Sequence, residues 1–497
     1  VHELAASKRG TQLAVGLERL AVLAGEFQRI GLSATVGDPD EVGRFLTAGR
    51  DPAIVQIDAG SDLEVTVIEP RITDDDERLA SKLVTEPAMA THVRYILEQV
   101  DEHESTLIFV NTRQTAEALG SRFNALDASI GVHHGSLAKE ARIDVEDRFK
   151  AGDLDALLCT SSMELGIDVG HVDHVIQYGS PREVTRLLQR VGRAGHRAGT
   201  TSKGTIVTRH PDDTFEALAI ARRATVGEVE PAAIHEGSLD VVANQLAGLV
   251  MDMGELPARR AFEIITRAYP FRDIEEDAFK DVIREAAGNR LIWLDEDEDT
   301  ISKRGDTWEY YYRNLSMIPD EETYRVSDMA GGNQIGTLDE RFVVNFAEPG
   351  ATFIQGGRMW RIVEVDEDDM QVNATPVEDP AGEVPSWIGE EIPVPFEVAQ
   401  EVGEMRAVGA DQLEAGGAVD AVARSFLDRY PTDEYTLTEA LQPLDEQVQE
   451  GVPVPTDDRL LIEGGGGTIV INACFGHQGN ETLGRLISSL VGQAAGS

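Results

Sequence analysis

One alternation constrains the fold of this chain more than anything else in its sequence. Short apolar runs at Thr106–Val110, Ile130–His133, Ala156–Cys159, His174–Gln177 and Gly204–Thr208 are separated by helical patterns such as Thr115–Leu126 and Lys139–Lys150. Runs of this length, bounded by polar residues and alternating with helices, read as strands of one parallel sheet. Parallel neighbours need a long crossover between them, and helices supply it on both faces. The segment therefore predicts an α/β domain with its sheet buried on both sides.

The flanks have a different grammar. Residues 1–70 hold a helix-like segment, a strand entering Gly31–Thr35, and alternating apolar residues from Ile54 to Ile68. The polar stretch Arg71–Glu86, with Asp74, Asp75, Asp76 and Glu77, reads as a linker. After about residue 230, Leu239, Val242, Leu246, Leu249 and Met253 recur at helical spacing, as do Phe262 and Ile265, then Phe279, Val282 and Ile283. Leu291–Leu294 and Thr300–Ser302 flank an acidic turn. Three helices and a β-hairpin make a winged helix. Phe342–Asn345, Thr352–Ile354 and Met359–Val365 suggest a small barrel, and from about 400 the pattern is again helical, apart from the strand Thr468–Asn472.

Composition narrows the class. With 497 residues the chain exceeds a single core. Its longest apolar run, Thr468–Phe475, falls well short of the roughly 18 to 20 residues of a membrane span. Cys159 and Cys474 are too few for a disulfide framework or a four-cysteine zinc site. These features predict a multidomain cytoplasmic protein. Asp and Glu number 89 against 44 Lys and Arg, a net charge of −45, and only seven of the bases are lysine. Such a surface repels nucleic acid at low salt. It suits a salt-filled cytoplasm, where the Debye length shrinks to about 3 Å at 1 M, so the acidity is read as halophilic adaptation. The chain starts at Val1 without a leader pattern and stops at Ser497 just after a helical run, and both ends are expected to be cuts in a longer protein.

The chemistry concentrates in two segments. Gln189–Arg197 reads QRVGRAGHR, and Arg182, Arg186, Arg190, Arg193 and Arg197 place five guanidiniums within sixteen residues of an acidic chain. A planar guanidinium donates two parallel bonds to phosphate and never deprotonates. Thr160–Val169, TSSMELGIDV, follows the strand Ala156–Cys159, where ligands gather in parallel sheets. Its hydroxyls, with Gly166 and Asp168, suit a ribose or a phosphate.

Taken together, GLSAT (Gly31–Thr35), IFVNTR (Ile108–Arg113), HHGSL (His133–Leu137), TSSMELGIDV and QRVGRAGHR resemble motifs III, IV, IVa, V and VI of superfamily 2 helicases, in order. Val1-His2-Glu3-Leu4 resembles the end of motif II. SKRGTQLAVGLERL (Ser7–Leu20), GRAGHR and PSWIGE (Pro385–Glu390) narrow the likeness to the Lhr (large helicase-related) family of ATP-dependent DNA helicases. The resemblance implies a remnant of a first RecA-like domain over 1–70, a linker over 71–90 and a complete second RecA-like domain over 91–228. A winged helix over 229–315 follows, then a C-terminal domain with a barrel-like part over 316–400 and a helical part over 401–497.

By the same resemblance Gln189, Arg193 and Arg197 would face ATP across the interdomain cleft, with Arg193 as arginine finger. His2, Ser33, Thr35, Gly166, Asp168 and Arg190 would bind the nucleotide or couple it to domain closure. Thr112, Arg113, His134, Gly135, Thr160 and Ser161 would contact the phosphates of the strand. Trp387, in a loop between Pro385 and Gly389, is the tryptophan expected to stack on a base. Trp293 and Trp360 read as core. Adjacent His133 and His134 point to opposite faces of a strand and do not share a metal. Cys159 reads as packing.

One departure is large. No G-x-x-x-x-G-K-[ST] loop occurs, and the motif II Asp and Glu that hold magnesium would precede Val1. The chain alone is expected to be inactive. The resemblance implies that the intact protein uses ATP and magnesium to move 3′ to 5′ on single-stranded DNA, unwinds DNA or RNA–DNA duplexes, and serves DNA repair. The rival readings are an RNA helicase or remodeler of the same superfamily, and a non-enzymatic nucleic-acid clamp.

Overall fold

The computed structural model describes residues 1–56, 63–164, 170–195, 201–317, 322–329, 333–367, 369–377, 392–465 and 468–495. The chain divides into two units, Val1–Asp58 with Pro231–Asp320, and Ala59–Glu230 with Glu321–Ser497. No described helix is long and apolar enough to cross a membrane.

The second unit is built on six parallel strands: β1 (Leu63–Ile68), β2 (Thr106–Val110), β3 (Ile130–His133), β4 (Ala156–Cys159), β5 (His174–Tyr178) and β6 (Ser202–Val207). Their order is β1-β6-β5-β2-β4-β3. Strand pleating sorts the side chains into two cores. Leu107, Phe109, Leu157, Cys159 and Val175 pack on one face with Leu187, Val191 and Phe215. Ile108, Val110, Leu158 and Ile176 pack on the other with Val93, Ile96, Leu119 and Phe123. The doubly covered parallel sheet is therefore present, and Cys159 is packing within it.

Two readings of the chain's start change. The alternating residues before Ile68 form β1, which pairs with β6 from Leu63–Ser202 to Ile68–Val207 and so belongs to this sheet. Its outer edge is covered, since Val67 N–H donates to Pro431 O at 2.9 Å and Thr432 Oγ1 donates to Val67 O at 2.7 Å. The expected linker holds a helix, Asp74–Leu83. Its acidic run fills the first helical turn, where negative charge meets the positive end of the dipole. Asp76 accepts from Thr73 N–H at 2.7 Å and from Arg94 Nε at 2.8 Å.

The first unit contains the winged helix, with helices Leu239–Met253, Ala258–Arg267 and Glu276–Gly288 and strands β7 (Glu255–Pro257), β8 (Ile292–Asp295) and β9 (Thr300–Lys303) ordered β7-β9-β8. Helix Lys8–Ala24 packs Ala14 and Val15 into the core formed with Val242, Leu246 and Leu249. Trp293 does not enter that core. Alternation along β8 turns Ile292 inward and leaves Trp293 54% exposed, with the Arg304 guanidinium 3.8 Å over its ring. No strand forms at Gly31–Thr35, and Leu32 is 86% exposed. A strand needs a neighbouring strand, and this segment pairs with none among the described residues; Leu32 O accepts instead from the Val1 amino group at 2.8 Å.

Returning to the second unit, β10 (Thr323–Asp328), β11 (Gln334–Asp339), β12 (Thr352–Gln355), β13 (Arg358–Asp366) and β14 (Gln371–Pro376) form a sheet ordered β11-β10-β14-β13-β12. Among the described residues β11 and β12 do not pair, so the sheet is open where a small barrel was expected. Trp360 is buried and donates to Gln355 O at 2.9 Å. The C-terminal helices Phe396–Glu414, Val419–Phe426 and Glu434–Gln449 share one core with helix Pro211–Val226, joining Val398, Met405, Phe426 and Leu437 to Phe215 and Leu218. Buried Glu401 closes this junction, accepting from Arg222, from Arg223 Nε at 2.8 Å and from Tyr430 Oη at 3.2 Å.

Candidate nucleotide and nucleic-acid site

Helix Val184–Val191 carries the first half of the arginine segment, and its burial follows helical spacing. Val184, Leu187, Arg190 and Val191 face inward, while Arg186 and Gln189 are half-buried on the outer side. An arginine on the inward face needs full pairing. Arg190, with no exposed surface, has it: Nε and Nη2 donate to Glu164 Oε1 at 2.8 and 2.6 Å, and Nη1 donates to Asn111 Oδ1 at 2.8 Å and to Gln177 Oε1 at 2.6 Å. Its guanidinium also stands 5.4 Å from the Phe109 ring centroid. One side chain thereby ties the IFVNTR strand end, the TSSMELGIDV segment and β5 together.

Glu164 is the residue that the sequence reading passed over. Its carboxylate accepts from Arg190 and, at 3.1 Å on each oxygen, from Arg186 Nη1. Its backbone carbonyl accepts from Arg193 Nη2 at 2.5 Å. A lone acid between Met163 and Leu165, after a buried strand, was the available signal. The guanidiniums are thus not a free basic face: Arg182 pairs with Glu216 at 3.0 Å, and Arg186 and Arg190 pair with Glu164. Arg193 is half-buried, and burial lowers its pKa against the favourable pull of Glu164, without bringing deprotonation into reach.

The strand ends beside this cluster hold most of the residues expected to meet nucleic acid. Thr112 is exposed and caps helix Arg113–Ala125, accepting from Thr115 N–H at 3.1 Å. Gly135 is exposed, and a Cβ there would lie 3.8 Å from Arg113 Nη2. Ser161 is exposed and opens the short turn Ser161–Met163, whereas Thr160 is buried at the end of β4.

His134 lies elsewhere than expected. It is fully buried, with Nε2 2.6 Å from Glu117 Oε1, so the side chain expected to touch phosphate is enclosed in protein. His133 is buried on the other face, between Ser162 Oγ at 2.8 Å and Glu146 Oε1 at 2.9 Å. Burial lowers its pKa, with the Glu146 contact opposing.

In the first unit, His2 Nδ1 meets Ser33 Oγ at 2.7 Å, so the VHEL and GLSAT segments touch, and Thr35 is exposed nearby in sequence. Gly166, Asp168, Arg197 and Trp387 lie outside the described residues. Among the described residues no group of three or more His, Cys, Asp or Glu side chains is placed to hold a metal ion.

A doubly covered parallel sheet with an arginine segment clamped across its carboxyl ends is the architecture of a helicase motor domain. Residues 89–199 match the helicase conserved C-terminal domain, residues 222–381 the winged helix domain of large helicase-related proteins, and residues 454–497 the DEAD/H associated domain. The chain is 31% identical over 521 residues to the ATP-dependent helicase Lhr-Core of Methanothermobacter thermautotrophicus, covering 99% of this chain and 58% of that protein. It is 32% identical to the Lhr-Core protein 2 of Thermococcus barophilus, covering 99% of this chain and 58% of that protein. The Mycobacterium smegmatis helicase Lhr, solved with single-stranded DNA and AMP-PNP, superposes with a TM-score of 0.68 at 28% identity, over 96% of this chain and 58% of that one. The chain belongs to the Lhr family of superfamily 2 helicases. It spans a little over half the length of the curated relatives it matches.

Proposed function

We propose that this chain is the nucleic-acid-gripping and phosphate-sensing part of an ATP-dependent DNA helicase that moves 3′ to 5′ on single-stranded DNA. It unwinds DNA or RNA–DNA duplexes and acts in DNA repair. The observation that carries the reading is the Glu164 cluster, which fixes Arg186, Arg190 and Arg193 against the strand ends where ligands collect in parallel sheets. The DNA and AMP-PNP held by the Mycobacterium smegmatis relative support it.

In this reading residues 1–58 complete a first RecA-like domain, and 59–228 form the second. The winged helix spans 229–315, and 316–497 is a C-terminal module sharing a core with the second RecA-like domain. Gln189 and Arg193, on the half-buried edge of the arginine segment, orient the triphosphate, a task that Arg197 shares in this reading. ATP supplies the phosphoryl group whose transfer drives the cycle, and Arg193 offsets the charge that develops on it. Arg190 holds the segment in place from inside. The His2–Ser33 contact, with Thr35, Gly166 and Asp168, relays the nucleotide state. Thr112, Arg113, Gly135 and Ser161 hold the DNA phosphates, while Thr160 and His134 act from the interior. Trp387 stacks on a base, a contact that salt weakens less than phosphate pairing. The described residues give magnesium no ligand cluster. Lacking a phosphate-cradling loop, these 497 residues hydrolyse no ATP on their own.

The test is unwinding by the full-length protein, in concentrated KCl, of duplexes with a 3′ or a 5′ single-stranded tail. Displacement from 3′-tailed DNA and RNA–DNA duplexes, and little from 5′-tailed ones, is expected. Equal displacement of RNA–RNA duplexes would favour an RNA remodeler, and ATP-independent binding alone would leave a clamp.

A further inference from the structure

The HHGSL loop, placed above among the DNA contacts, is tied to a part of the chain more than two hundred residues away, inside the same unit. Glu117, on helix Arg113–Ala125, has no exposed surface. Its carboxylate takes three partners: His134 Nε2 at 2.6 Å, Gly356 N–H at 2.7 Å and Gly357 N–H at 2.8 Å. Gly356 and Gly357 form the two-residue turn between β12 and β13, and both have positive φ (64° and 69°), as the tight right-twisting hairpin requires. The turn lies directly on the helix. A Cβ on Gly357 would come within 3.4 Å of the Gly120 carbonyl and 3.3 Å of Val132 Cγ2.

A second tie lies beside it. Thr337 N–H donates to Ser136 O at 2.8 Å, and Ala138 N–H donates to Ile335 O at 3.0 Å, so β11 pairs its backbone with the loop at Leu137–Gly336. The loop is therefore held on both sides of Gly135, by His134 on Glu117 and by Ser136–Ala138 on β11. Gly135 itself stays exposed next to Arg113, one helical turn before Glu117.

We propose that Glu117 is a positioning residue that locks the Arg113–Gly135 grip on the strand to the five-stranded sheet, so that DNA contact and C-terminal module act as one piece. A buried carboxylate with three donors has one favourable geometry, and losing it frees helix, loop and turn together. The inference rests on the DNA-motor reading above, but its first readout is DNA binding, which does not require hydrolysis.

In the full-length protein, the Kd for a fluorescent single-stranded oligonucleotide is measured by anisotropy, alongside DNA-stimulated ATPase. Glu117→Ala is expected to weaken DNA binding, and raise the DNA concentration for half-maximal ATPase, about tenfold, with kcat at saturating DNA within about twofold. Glu117→Gln, which keeps the length and an acceptor, should lose about threefold. Gly357→Ala, which strains the turn from the other side, should act in the same direction, and the double variant should be no worse than Glu117→Ala alone. If Glu117→Ala fails to fold, Glu117→Gln and Gly357→Ala carry the same comparison. A lower kcat or Tm with unchanged DNA affinity would show that Glu117 merely holds the fold, and additive losses would show two separate devices; either overturns the proposal. A wild type that binds DNA without hydrolysing ATP would sink the motor while leaving the affinity ratio to judge Glu117. A wild type that does not bind DNA would sink both.

Discussion

Replacing Glu164 with alanine should strongly destabilise the second unit, because it breaks the buried pair that anchors the arginine segment. The variant leaves Arg190 buried and charged, with Asn111 and Gln177 as its remaining acceptors. Removing one partner of a buried ion pair costs about 3–5 kcal/mol, because the stranded charge keeps its desolvation penalty. Arg186, by contrast, is partly exposed, and Arg186→Ala leaves Glu164 paired with Arg190, so it should cost about 1 kcal/mol or less. With an unfolding entropy near 2.1 cal/mol/K per residue over a unit of roughly 350 residues, Glu164→Ala should lower the Tm by roughly 4–7 °C. Adding Arg190→Met removes the stranded charge, so the double variant should be no less stable than Glu164→Ala, although Asn111 and Gln177 lose a donor. Calorimetry at fixed KCl measures all three. A Glu164→Ala Tm within about 1 °C of wild type, or a double variant whose loss is the sum of two large ones, would refute the argument that Glu164 and Arg190 neutralise each other inside the domain.

Three further outcomes follow from the structure. Burial, with His103 and Lys203 adding to it and Asp173 opposing, drops the His174 pKa from 6.5 to about 4. The unfolded chain thus binds this proton first, so stability falls as pH drops from about 6.5 to about 4. His174→Gln should lack that loss, worth on the order of 3 kcal/mol, in urea titrations at both pH values. Glu401→Ala removes the buried acceptor that Arg222 and Arg223 share at the junction with the C-terminal helices, leaving them only Glu228, and should cost about 2 kcal/mol. Faster proteolysis between helices Phe396–Glu414 and Val419–Phe426, unchanged in the exposed control Glu404→Ala, reports it. With a net charge of −45, raising KCl from about 0.15 to about 1 M, which shortens the Debye length from about 8 to about 3 Å, should raise the Tm. An unchanged or lower Tm would contradict the halophilic reading.

Local pattern carried most of the sheet. Strands at Thr106–Val110, Ile130–His133 and Ala156–Cys159 lie where their apolar runs put them, because a strand buried on both faces has few polar positions to blur the signal. Asp74–Leu83 was misread for a local reason: its acids mimic a loop, although Thr73 and Asp76 already spell a capped helix start. Phe342–Asn345, read as part of the small barrel's strands, lies in helix Glu340–Phe346, and most of the remaining misses are non-local. The alternation before Ile68 announces a strand but not its neighbour, which is β6, well over a hundred residues on. Nothing near His134 says that Glu117 and the Gly356–Gly357 turn enclose it. Glu164 looked ordinary because its meaning depends on Arg190 turning inward, a consequence of helix phase combined with burial. Trp293 looked like core because LIWL is apolar throughout, yet a two-sided wing strand exposes every second residue.

In the proposed reading, this chain supplies the arginine side of a DNA-dependent ATP motor. Its most direct test is ATP hydrolysis by the full-length protein in concentrated KCl, with and without single-stranded DNA. The 497-residue chain alone and a full-length Arg193→Ala variant run beside it. DNA-stimulated hydrolysis by the full-length protein is expected, with none by the chain alone and a loss of at least about a thousandfold in kcat for Arg193→Ala with DNA binding retained. Hydrolysis that survives Arg193→Ala, or a full-length protein that binds DNA and hydrolyses nothing, would contradict it.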